Sequence, residues 1–272
     1  MVDLCSRRTF LLRLGTAVVA AHRPGIATAS VRPPRRHRLA ECQLVSGAPL
    51  EELRAFYGDT LGLRTGSSEG SLAVRAGDTR LVFRHDPSAG SPFYHFAFNI
   101  PENKIRLARD WQAERSPLIP IPERNRAGGF PPDVVDYSHW NAHSVFFLDP
   151  AGNVVEYIAR HDLRNSSAGT FTSADILHVS EIAFVVDDVP GTSALLQRRF
   201  ALEGYRGAGS ENFAALGDEH GLVLVMRRGR IIDFNQNSQE KAVRVFPTQL
   251  RLRSTAPGTL RVDGLPYEIH TV

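Results

Sequence analysis

One pattern of elements starts three times along this chain, and this repetition limits the folds that the chain can adopt. Each repeat begins with a short apolar strand, continues with a helical stretch and ends with two or three strands. The predicted first strands are Leu39–Val45, Tyr94–Ile100 and Ser180–Val186, and the helices follow at 50–61, 101–111 and 187–202. Beyond Arg227 the sequence predicts short strands without a helix. A repeated supersecondary unit predicts a molecule built from several copies of that unit.

The most specific stretch is a strand, a tight turn and a second strand that carries a carboxylate. The turn is Asp149-Pro150-Ala151-Gly152-Asn153, in which proline presets φ and Gly-Asn tolerates the left-handed conformation. In the strand that follows, Val154, Glu156 and Ile158 share one face because side chains alternate. A carboxylate between two branched apolar residues is costly to bury without a partner, and a metal ion is one such partner.

The first 29 residues have the pattern of an export signal. Arg7 and Arg8 precede the apolar run from 11 to 21, and Ala27-Thr28-Ala29 offers small residues for cleavage, as in a twin-arginine signal. The run is too short for a permanent membrane anchor. We therefore expect export by the twin-arginine translocase to the periplasm or the cell exterior, with the mature chain beginning near Ser30.

The charge balance argues against a nucleic-acid partner. Residues 1–29 hold four arginines and one aspartate, which accounts for the whole formal net charge of +3. The mature chain is then neutral by formal count, and its basic run from Arg32 to Arg38 lies in a proline-rich segment. Cys42 is the single cysteine left after cleavage, so the sequence predicts no intramolecular disulfide.

Three motifs resemble the vicinal oxygen chelate superfamily, which includes glyoxalase I, extradiol dioxygenases, fosfomycin-resistance enzymes and bleomycin-binding proteins. They are Phe56-Tyr57-Gly58-Asp59-Thr60-Leu61-Gly62, the strand His95-Phe96-Ala97-Phe98, and the turn and strand from Asp149 to Glu156. The third repeat, with Glu181-Ile182-Ala183-Phe184, matches more weakly. The resemblance implies an α+β fold in which paired βαβββ modules form a cupped, partly closed barrel.

The expected organisation follows from the signal, the linkers and this resemblance. We expect a signal peptide at 1–29, a basic linker at 30–37, a glyoxalase-like domain at 38–163, a linker at 164–175 and an additional module with C-terminal strands at 176–272. A lone βαβββ unit leaves open sheet edges, so the additional module should pair with the C-terminal strands, the first domain or a second chain. A homodimer is the prediction that follows from the last option.

The resemblance also implies a set of metal ligands. In the superfamily the ligands come from the first strand of each module and the last strand of the second, which assigns His95 and Glu156. The first module has no histidine there, and counting back from Phe56 gives Glu41 or Cys42, depending on the length of the preceding loop. Alternation favours Glu41, since Cys42 would then face the core. The predicted set, Glu41, His95 and Glu156, suits Fe²⁺, Mn²⁺, Ni²⁺ or Mg²⁺.

Further residues are expected around this centre. Glu156 is also a catalytic candidate, and His143 joins it if His143 rather than Ser144 faces the cup. The expected substrate pocket consists of Gln43, Tyr94, Phe130, Tyr137 and Trp140. Each ligand has a plainer interpretation: His95 as a core histidine, and Glu41 or Glu156 as ion-pair partners of Arg75 or Arg84. Glu181 and the segment Asp218-Glu219-His220 are interpreted as structural.

The sequence supports two candidate functions, which belong to different classes of protein. The first is an exported metalloenzyme, a lyase, isomerase or ring-cleaving dioxygenase that acts on a small molecule chelating the metal through oxygens. The second is a metal-free binding protein of the bleomycin-resistance kind, in which the same cup holds an apolar or aromatic ligand. The nearly complete ligand set favours the enzyme, while the fold by itself supports both.

Overall fold

Four successive groups of strands make up the part of the chain that the structure describes. The structure is a computed structural model, and it describes residues 37–232, 241–254 and 256–272. The predicted export signal and most of the basic linker lie outside the described residues. The described residues fall in one compact unit.

The first two groups both follow the predicted order of strand, helix and strands. Group one contains β1 (Arg38–Ser46), α1 (Leu50–Arg54), β2 (Arg64–Ser68), β3 (Ser71–Ala76) and β4 (Thr79–His85), with a π-helical turn at Ala55–Thr60 after α1. Group two contains β5 (His95–Ile100), α2 (Ile105–Ala113), β6 (Val135–Tyr137), β7 (Ala142–Leu148) and β8 (Val154–Arg160). The short strands β2 and β6 were not predicted from the sequence, because they lack a clear apolar alternation.

The third group repeats the order, and the fourth lacks a helix. Group three contains β9 (His178–Val186), α3 (Val189–Phe200), β10 (Gly204–Gly209), β11 (Phe213–Asp218) and β12 (Gly221–Arg227). The Asp188 carboxylate caps α3 by accepting from the Gly191 N–H at 2.9 Å. A small pair, β13 (Ile231–Ile232) and β14 (Lys241–Ala242), precedes group four, which contains β15 (Thr248–Arg253), β16 (Thr259–Arg261) and β17 (Tyr267–Thr271).

The groups pair into two large, curled sheets. Groups one and four form a seven-stranded sheet in the order β16-β17-β15-β1-β4-β3-β2. Groups two and three form an eight-stranded sheet in the order β10-β11-β12-β9-β5-β8-β7-β6. The first strands of the paired groups lie antiparallel to each other, β1 against β15 and β5 against β9. The predicted α+β glyoxalase-like fold is confirmed, and it is the second and third groups that share a sheet.

The main core lies between the inner faces of the two sheets. Cys42, Leu81 and Leu250 come from the seven-stranded sheet, while Phe98 and Tyr157 come from the eight-stranded sheet, and all are fully buried in one cluster. Because side chains alternate along strands, every second side chain points to the opposite, outer face of its sheet and does not enter this core. No helix among the described residues is long and apolar enough to cross a membrane.

The predicted turn between β7 and β8 lies within group two and is hydrogen-bonded to group one. Gly152 adopts a φ of 78°, as the Gly-Asn signature predicts. The Asp149 carboxylate accepts from the Asn153 backbone N–H at 2.9 Å and from the Tyr57 hydroxyl at 2.7 Å. The Asn153 side-chain oxygen in turn accepts from the Tyr94 N–H at 2.8 Å. The Phe-Tyr motif of group one and the turn of group two are therefore parts of one hydrogen-bonded unit that positions β5 beside β8.

Candidate metal centre

Three titratable side chains meet on the outer face of the eight-stranded sheet. His95 comes from β5, Glu156 from β8 and Glu181 from β9, and one ligand atom of each lies within 4.8 Å of the others. The register explains the meeting, because Ala97 stands opposite both glutamates and His95 lies two residues before it on the same face. All three are buried, with exposed fractions of 8%, 2% and 1% respectively.

The imidazole of His95 is oriented as a ligand. Its Nδ1 lies 3.1 Å from the carbonyl oxygen of Val154, and its Nε2 lies 3.5 Å from Glu156 Oε2. Burial lowers the pKa of His95 to about 4, so the ring is neutral at physiological pH. A proton held on Nδ1 by the carbonyl leaves the lone pair of Nε2 directed at the carboxyls.

Glu156 is a buried carboxyl with an unused oxygen. Within the described residues its Oε1 has no hydrogen-bond partner. Burial, followed by the neighbouring carboxyl of Glu181, raises the pKa of Glu156 well above its usual range, and the nearby Ser144 and Arg160 oppose this rise. A buried acceptor without a well-placed partner is costly, and either the Ser144 hydroxyl or a bound ion would satisfy this oxygen.

Glu181 is held by a buried arginine at the end of β8. Arg160 is 1% exposed and donates to Glu181 Oε1 through its Nη2. The same guanidinium donates to Asn99 Oδ1 and to the Tyr205 hydroxyl, both at 3.2 Å. Burial raises the pKa of Glu181, and the charge of Arg160 opposes that rise. The ion pair fixes one oxygen of Glu181 and partly balances the two carboxyls.

The donor set fits a hard divalent cation. A neutral imidazole nitrogen and two carboxylates are ligands that Fe²⁺, Mn²⁺, Ni²⁺ or Mg²⁺ accept, and both carboxyls are buried where an ion would compensate their charge. The unpartnered Glu156 Oε1 agrees with that reading. Glu181 would contribute the oxygen that Arg160 does not bind.

A cavity of about 570 Å³ opens onto this group. Its walls are mostly apolar and aromatic, and its rim carries basic and amide side chains. The wall residues include Trp140, Phe146, Phe213, Leu224 and Met226, and the rim residues include Arg124, Asn125 and Arg230. Trp140 is buried, and its Nε1 has no hydrogen-bond partner within the described residues. The cavity therefore combines apolar and aromatic surface with polar groups, as ligand sites commonly do.

The structure corrects the expected position of one ligand. Glu41 lies on β1 of the seven-stranded sheet, where Arg80 binds its carboxylate at 2.6 Å and Arg251 at 3.5 Å. It is thus an ion-pair partner, although not of the arginines considered from the sequence. The expected set failed because it assumed that the first two repeats share a cup, whereas β5 pairs with β9. Glu181, interpreted from the sequence as structural, is the third titratable residue of the buried group.

His143 points away from the metal centre. The register places Ser144 opposite Ile158 and Phe146 opposite Glu156, so Ser144 has the orientation that faces the centre. His143 instead lies opposite Ala159, with its Nδ1 2.7 Å from His161 Nε2 and its ring stacked on Phe130 at 4.4 Å. The catalytic assignment of His143 and the pocket assignment of Phe130 are therefore corrected, because both lie on the other face of the sheet.

The remaining pocket predictions divide between the two sheets. Tyr137 and Trp140 line the cavity at the metal centre, as expected. Gln43 lies on β1 and lines a separate cavity on the seven-stranded sheet. Tyr94 is buried between β1 and Pro247, where its hydroxyl accepts from the Val45 N–H at 3.1 Å and donates to the Pro247 carbonyl at 2.9 Å. Gln43 and Tyr94 therefore lie outside the cavity of the metal centre.

A signal for Glu181 was present in the sequence. Glu181-Ile182-Ala183-Phe184 has the same x-apolar-Ala-Phe form as His95-Phe96-Ala97-Phe98, and each tetrapeptide lies on the first strand of its repeat. The position equivalent to His95 is therefore Glu181, in the repeat that pairs with it. What the sequence could not give was which two repeats share a sheet.

Comparisons with known proteins agree with this fold, and they show the fold alone. No family model and no curated protein matches the sequence. Among solved structures, a candidate dioxygenase from Bacillus subtilis has a TM-score of 0.53 and 14% identity, covering 88% of this chain and 86% of its own. Glyoxalase I from Zea mays has a TM-score of 0.50 and 13% identity, covering 88% and 92%. This chain therefore has the glyoxalase-like fold over nearly its whole described length.

Proposed function

We propose that this protein is a divalent-metal enzyme of the glyoxalase and dioxygenase type, acting on a small molecule that presents two neighbouring oxygens. The observation that carries the proposal is the buried His95, Glu156 and Glu181 group at the wall of a 570 Å³ cavity. The shared fold with glyoxalase I and a candidate dioxygenase supports the class of chemistry. The reaction is a lyase, isomerase or ring-cleaving dioxygenase step.

The ion would supply Lewis-acid stabilisation of an oxyanion on the substrate. His95 Nε2, Glu156 and the free oxygen of Glu181 would hold it. Glu156 Oε1 has no hydrogen-bond partner within the described residues, which leaves this oxygen available to an ion or to a proton of the substrate. The burial of His95, Glu156 and Glu181 strengthens the charge interactions at the centre.

The cavity walls define the kind of substrate. Desolvation, followed by the carboxyls of Glu156 and Glu181, raises the pKa of the Tyr137 hydroxyl, which keeps it a proton donor. Trp140 Nε1 is a second donor on the same wall. The ring centroids of Trp140 and Phe213 lie 6.5 Å apart with their planes inclined by 30°, and the Arg230 guanidinium lies 5.1 Å from the Phe213 ring centroid. These walls favour a planar or apolar substrate with one oxygenated end.

We also propose a cellular location and an oligomeric state for this protein. The segment 1–29 has the pattern of a twin-arginine signal, which supports export with the metal already bound. A homodimer stays a prediction, which light scattering of the mature protein would test.

Metal content is the first measurement. We expect about one equivalent of a divalent metal in the natively exported protein by inductively coupled plasma mass spectrometry, and its loss in His95→Ala and Glu181→Gln. Glu41→Gln is the matched control, since it removes a carboxyl on the other sheet and should leave the metal in place. Loss in Glu41→Gln with retention in Glu181→Gln would contradict the assigned ligands.

A metal-free binding protein is the alternative, and one observation favours it. Arg160 already pairs with Glu181, and the raised pKa of Glu156 favours its neutral form, so the group is balanced without an ion. The cavity would then hold an apolar or aromatic ligand against Trp140. No stoichiometric metal in the parent after divalent-ion loading, together with quenching of tryptophan fluorescence by catechols, would replace the enzyme by this alternative.

A further inference from the structure

The fold gathers exposed arginines on the outer face of the seven-stranded sheet. These residues come from five strands that are scattered from residue 64 to residue 261, so no basic run marks them in the sequence. All seven are exposed: Arg64, Arg75, Arg80, Arg84, Arg251, Arg253 and Arg261. The burial alternation puts them opposite the core face, because their neighbours on each strand, such as Val74, Leu250 and Leu252, are buried.

The strand register places several of these arginines directly beside each other. Arg64 stands opposite Arg75, and Arg75 stands opposite Arg80. The same row continues through Glu41 to Arg251. Like charges directly opposite on a sheet destabilise it, so three neighbouring arginines are not explained by the stability of the fold.

The carboxylates on this face are too few to balance the arginines. Glu41 and Glu268 are the acidic residues on its strands, and they pair with Arg80, Arg251 and Arg261. Within the described residues, no ion pair involves the four others, Arg64, Arg75, Arg84 and Arg253. Residues 30–272 hold 28 basic and 28 acidic side chains, since 1–29 contain four of the 32 and one of the 29. The positive charge is therefore a local property of this face.

The basic face continues into a cavity of its own. This cavity has a volume of about 610 Å³ and lies on the opposite sheet from the metal centre. Arg84 and Arg261 line it together with the amides of Gln43 and Gln249, and the carboxylates of Asp86 and Glu268 also reach it. The arginines of the sheet that have no ion pair within the described residues therefore carry the site, and the cavity adds amide donors beside them. Guanidinium groups bind tetrahedral oxyanions through paired N–H donors, and amides add neutral hydrogen bonds.

We propose that this face is a second binding site, for a linear polymer of phosphate groups. Neighbouring strands lie about 4.8 Å apart, so the arginine row presents a series of charges rather than one anion site. No phenylalanine, tyrosine or tryptophan of the seven strands points to this face, because the buried side chains Phe83 and Tyr267 belong to its core side. A polymer recognised by charge, without base stacking, fits such a surface.

The test uses the purified, natively exported protein and fluorescently labelled inorganic polyphosphate. Anisotropy titrations at several salt concentrations give the dissociation constant and its salt slope. We expect Arg64→Ser/Arg75→Ser to reduce that slope by about 1.4, since each contact with a single-chain polyanion contributes about 0.7. Arg164→Ser/Arg198→Ser removes two exposed arginines elsewhere and should leave the slope unchanged. Thermal melting checks that both variants are folded.

Several results would overturn the proposal. These are no binding of polyphosphate by the parent, an unchanged salt slope in Arg64→Ser/Arg75→Ser, an equal loss in the control variant, or equally tight binding of polyglutamate. Tighter binding of single-stranded DNA than of polyphosphate would also contradict it, because bases would then contribute. Preference for polyphosphate over heparin supports the proposal, whereas tighter binding of heparin would overturn it, because sulfate groups would then be the recognised groups. The metal content of Arg64→Ser/Arg75→Ser should equal that of the parent, since the two sites lie on different sheets.

Discussion

Arg160 is the residue on which the charge balance of the metal centre depends. It is one of the largest fully buried side chains, and its guanidinium binds Glu181, Asn99 and Tyr205. Without it, two buried carboxyls would face each other with only a neutral histidine beside them. A buried ion pair contributes little net stability by itself, but removing one partner leaves an uncompensated charge. Arg160 therefore makes the centre compatible with folding before any ligand arrives.

This reasoning predicts the stability of variants of the pair. In metal-free protein, Arg160→Met should lower the free energy of unfolding by about 3–5 kcal/mol, because Glu181 remains buried without its partner. The double variant Arg160→Met/Glu181→Gln should recover much of that loss, since both charges are gone. Urea unfolding of the parent, both single variants and the double variant gives the coupling free energy. A loss in the double variant equal to the sum of the two single losses would show that the pair is not coupled.

At the scale of elements, the turn after β7 is a connector between repeats. Its Asp149 accepts from Tyr57 of the first group and from Asn153, while Asn153 accepts from Tyr94 at the start of β5. The residues of the sequence motifs thus meet in space, and the hydrogen bonds explain why these residue types occur together. The turn sets the position of Glu156 relative to His95.

Two tyrosines allow a matched prediction for this connector. Tyr57 donates to the Asp149 carboxyl at 2.7 Å, and Tyr157 donates to the amide oxygen of Gln112 at 3.0 Å; both are fully buried. Hydrogen bonds to charged groups are worth about 1.5–3 kcal/mol and neutral ones about 0.5–1.5 kcal/mol. Tyr57→Phe should therefore destabilise the protein more than Tyr157→Phe in chemical denaturation. The reverse order would mean that Asp149 is neutral in the folded protein.

The elements also show what the sequence could predict. Alternation along β8 correctly put Val154 and Glu156 on one face, and Gly152 has the positive φ expected of its turn. His95 and Glu156 were found because both lie in motifs whose residues interact locally or through one turn. The strand boundaries agree within a few residues wherever apolar alternation is strong.

Glu181 was missed because a sheet partner is a long-range choice. The contact that brings it to Glu156 depends on β9 pairing with β5, across the helix α2 and three further strands. No local pattern specifies that pairing, because β1 has a similar apolar face and, from the sequence alone, could pair with β5 as well as β9 does. The arginine row was missed for the same reason, because Arg64, Arg75, Arg80 and Arg251 become neighbours only through register.

On the scale of the whole molecule, the two sheets carry opposite kinds of chemistry on their outer faces. The eight-stranded sheet holds buried carboxyls that favour a cation, and the seven-stranded sheet holds exposed arginines that favour an anion. A shared core separates them, so ligands of the two faces do not compete for space. The two sheets, each built from two strand groups, can therefore present a separate candidate site on each outer face.

The two sheets also meet through a polar junction around His178 at the start of β9. Its Nδ1 lies 3.2 Å from the Arg38 guanidinium of β1, and its Nε2 lies 3.3 Å from the Asn99 amide nitrogen of β5. Both ring nitrogens thus face donor groups. Burial, followed by the charges of Arg38, His220 and Arg160, lowers the pKa of His178 to about 3. The folded protein holds this ring neutral.

Acid should therefore weaken the junction. The unfolded chain protonates His178 near its ordinary pKa of 6.5, whereas the folded protein does so only near 3. The stability that the neutral ring contributes is present above pH 6.5 and is lost as the pH falls towards 3, because the unfolded state then binds the extra proton. By pH 5 the loss should reach about 2 kcal/mol, at 1.36 kcal/mol for each pH unit.

His178→Gln tests this directly, because glutamine keeps a polar side chain and cannot titrate. Denaturant unfolding at pH 7.5 and pH 5.0 should show a difference in unfolding free energy that is smaller in His178→Gln than in the parent by about 2 kcal/mol. His139→Gln, which replaces an exposed histidine, should keep the pH dependence of the parent. If His178→Gln loses as much stability as the parent, the ring is protonated in the folded junction, and Arg38 must then lie away from it.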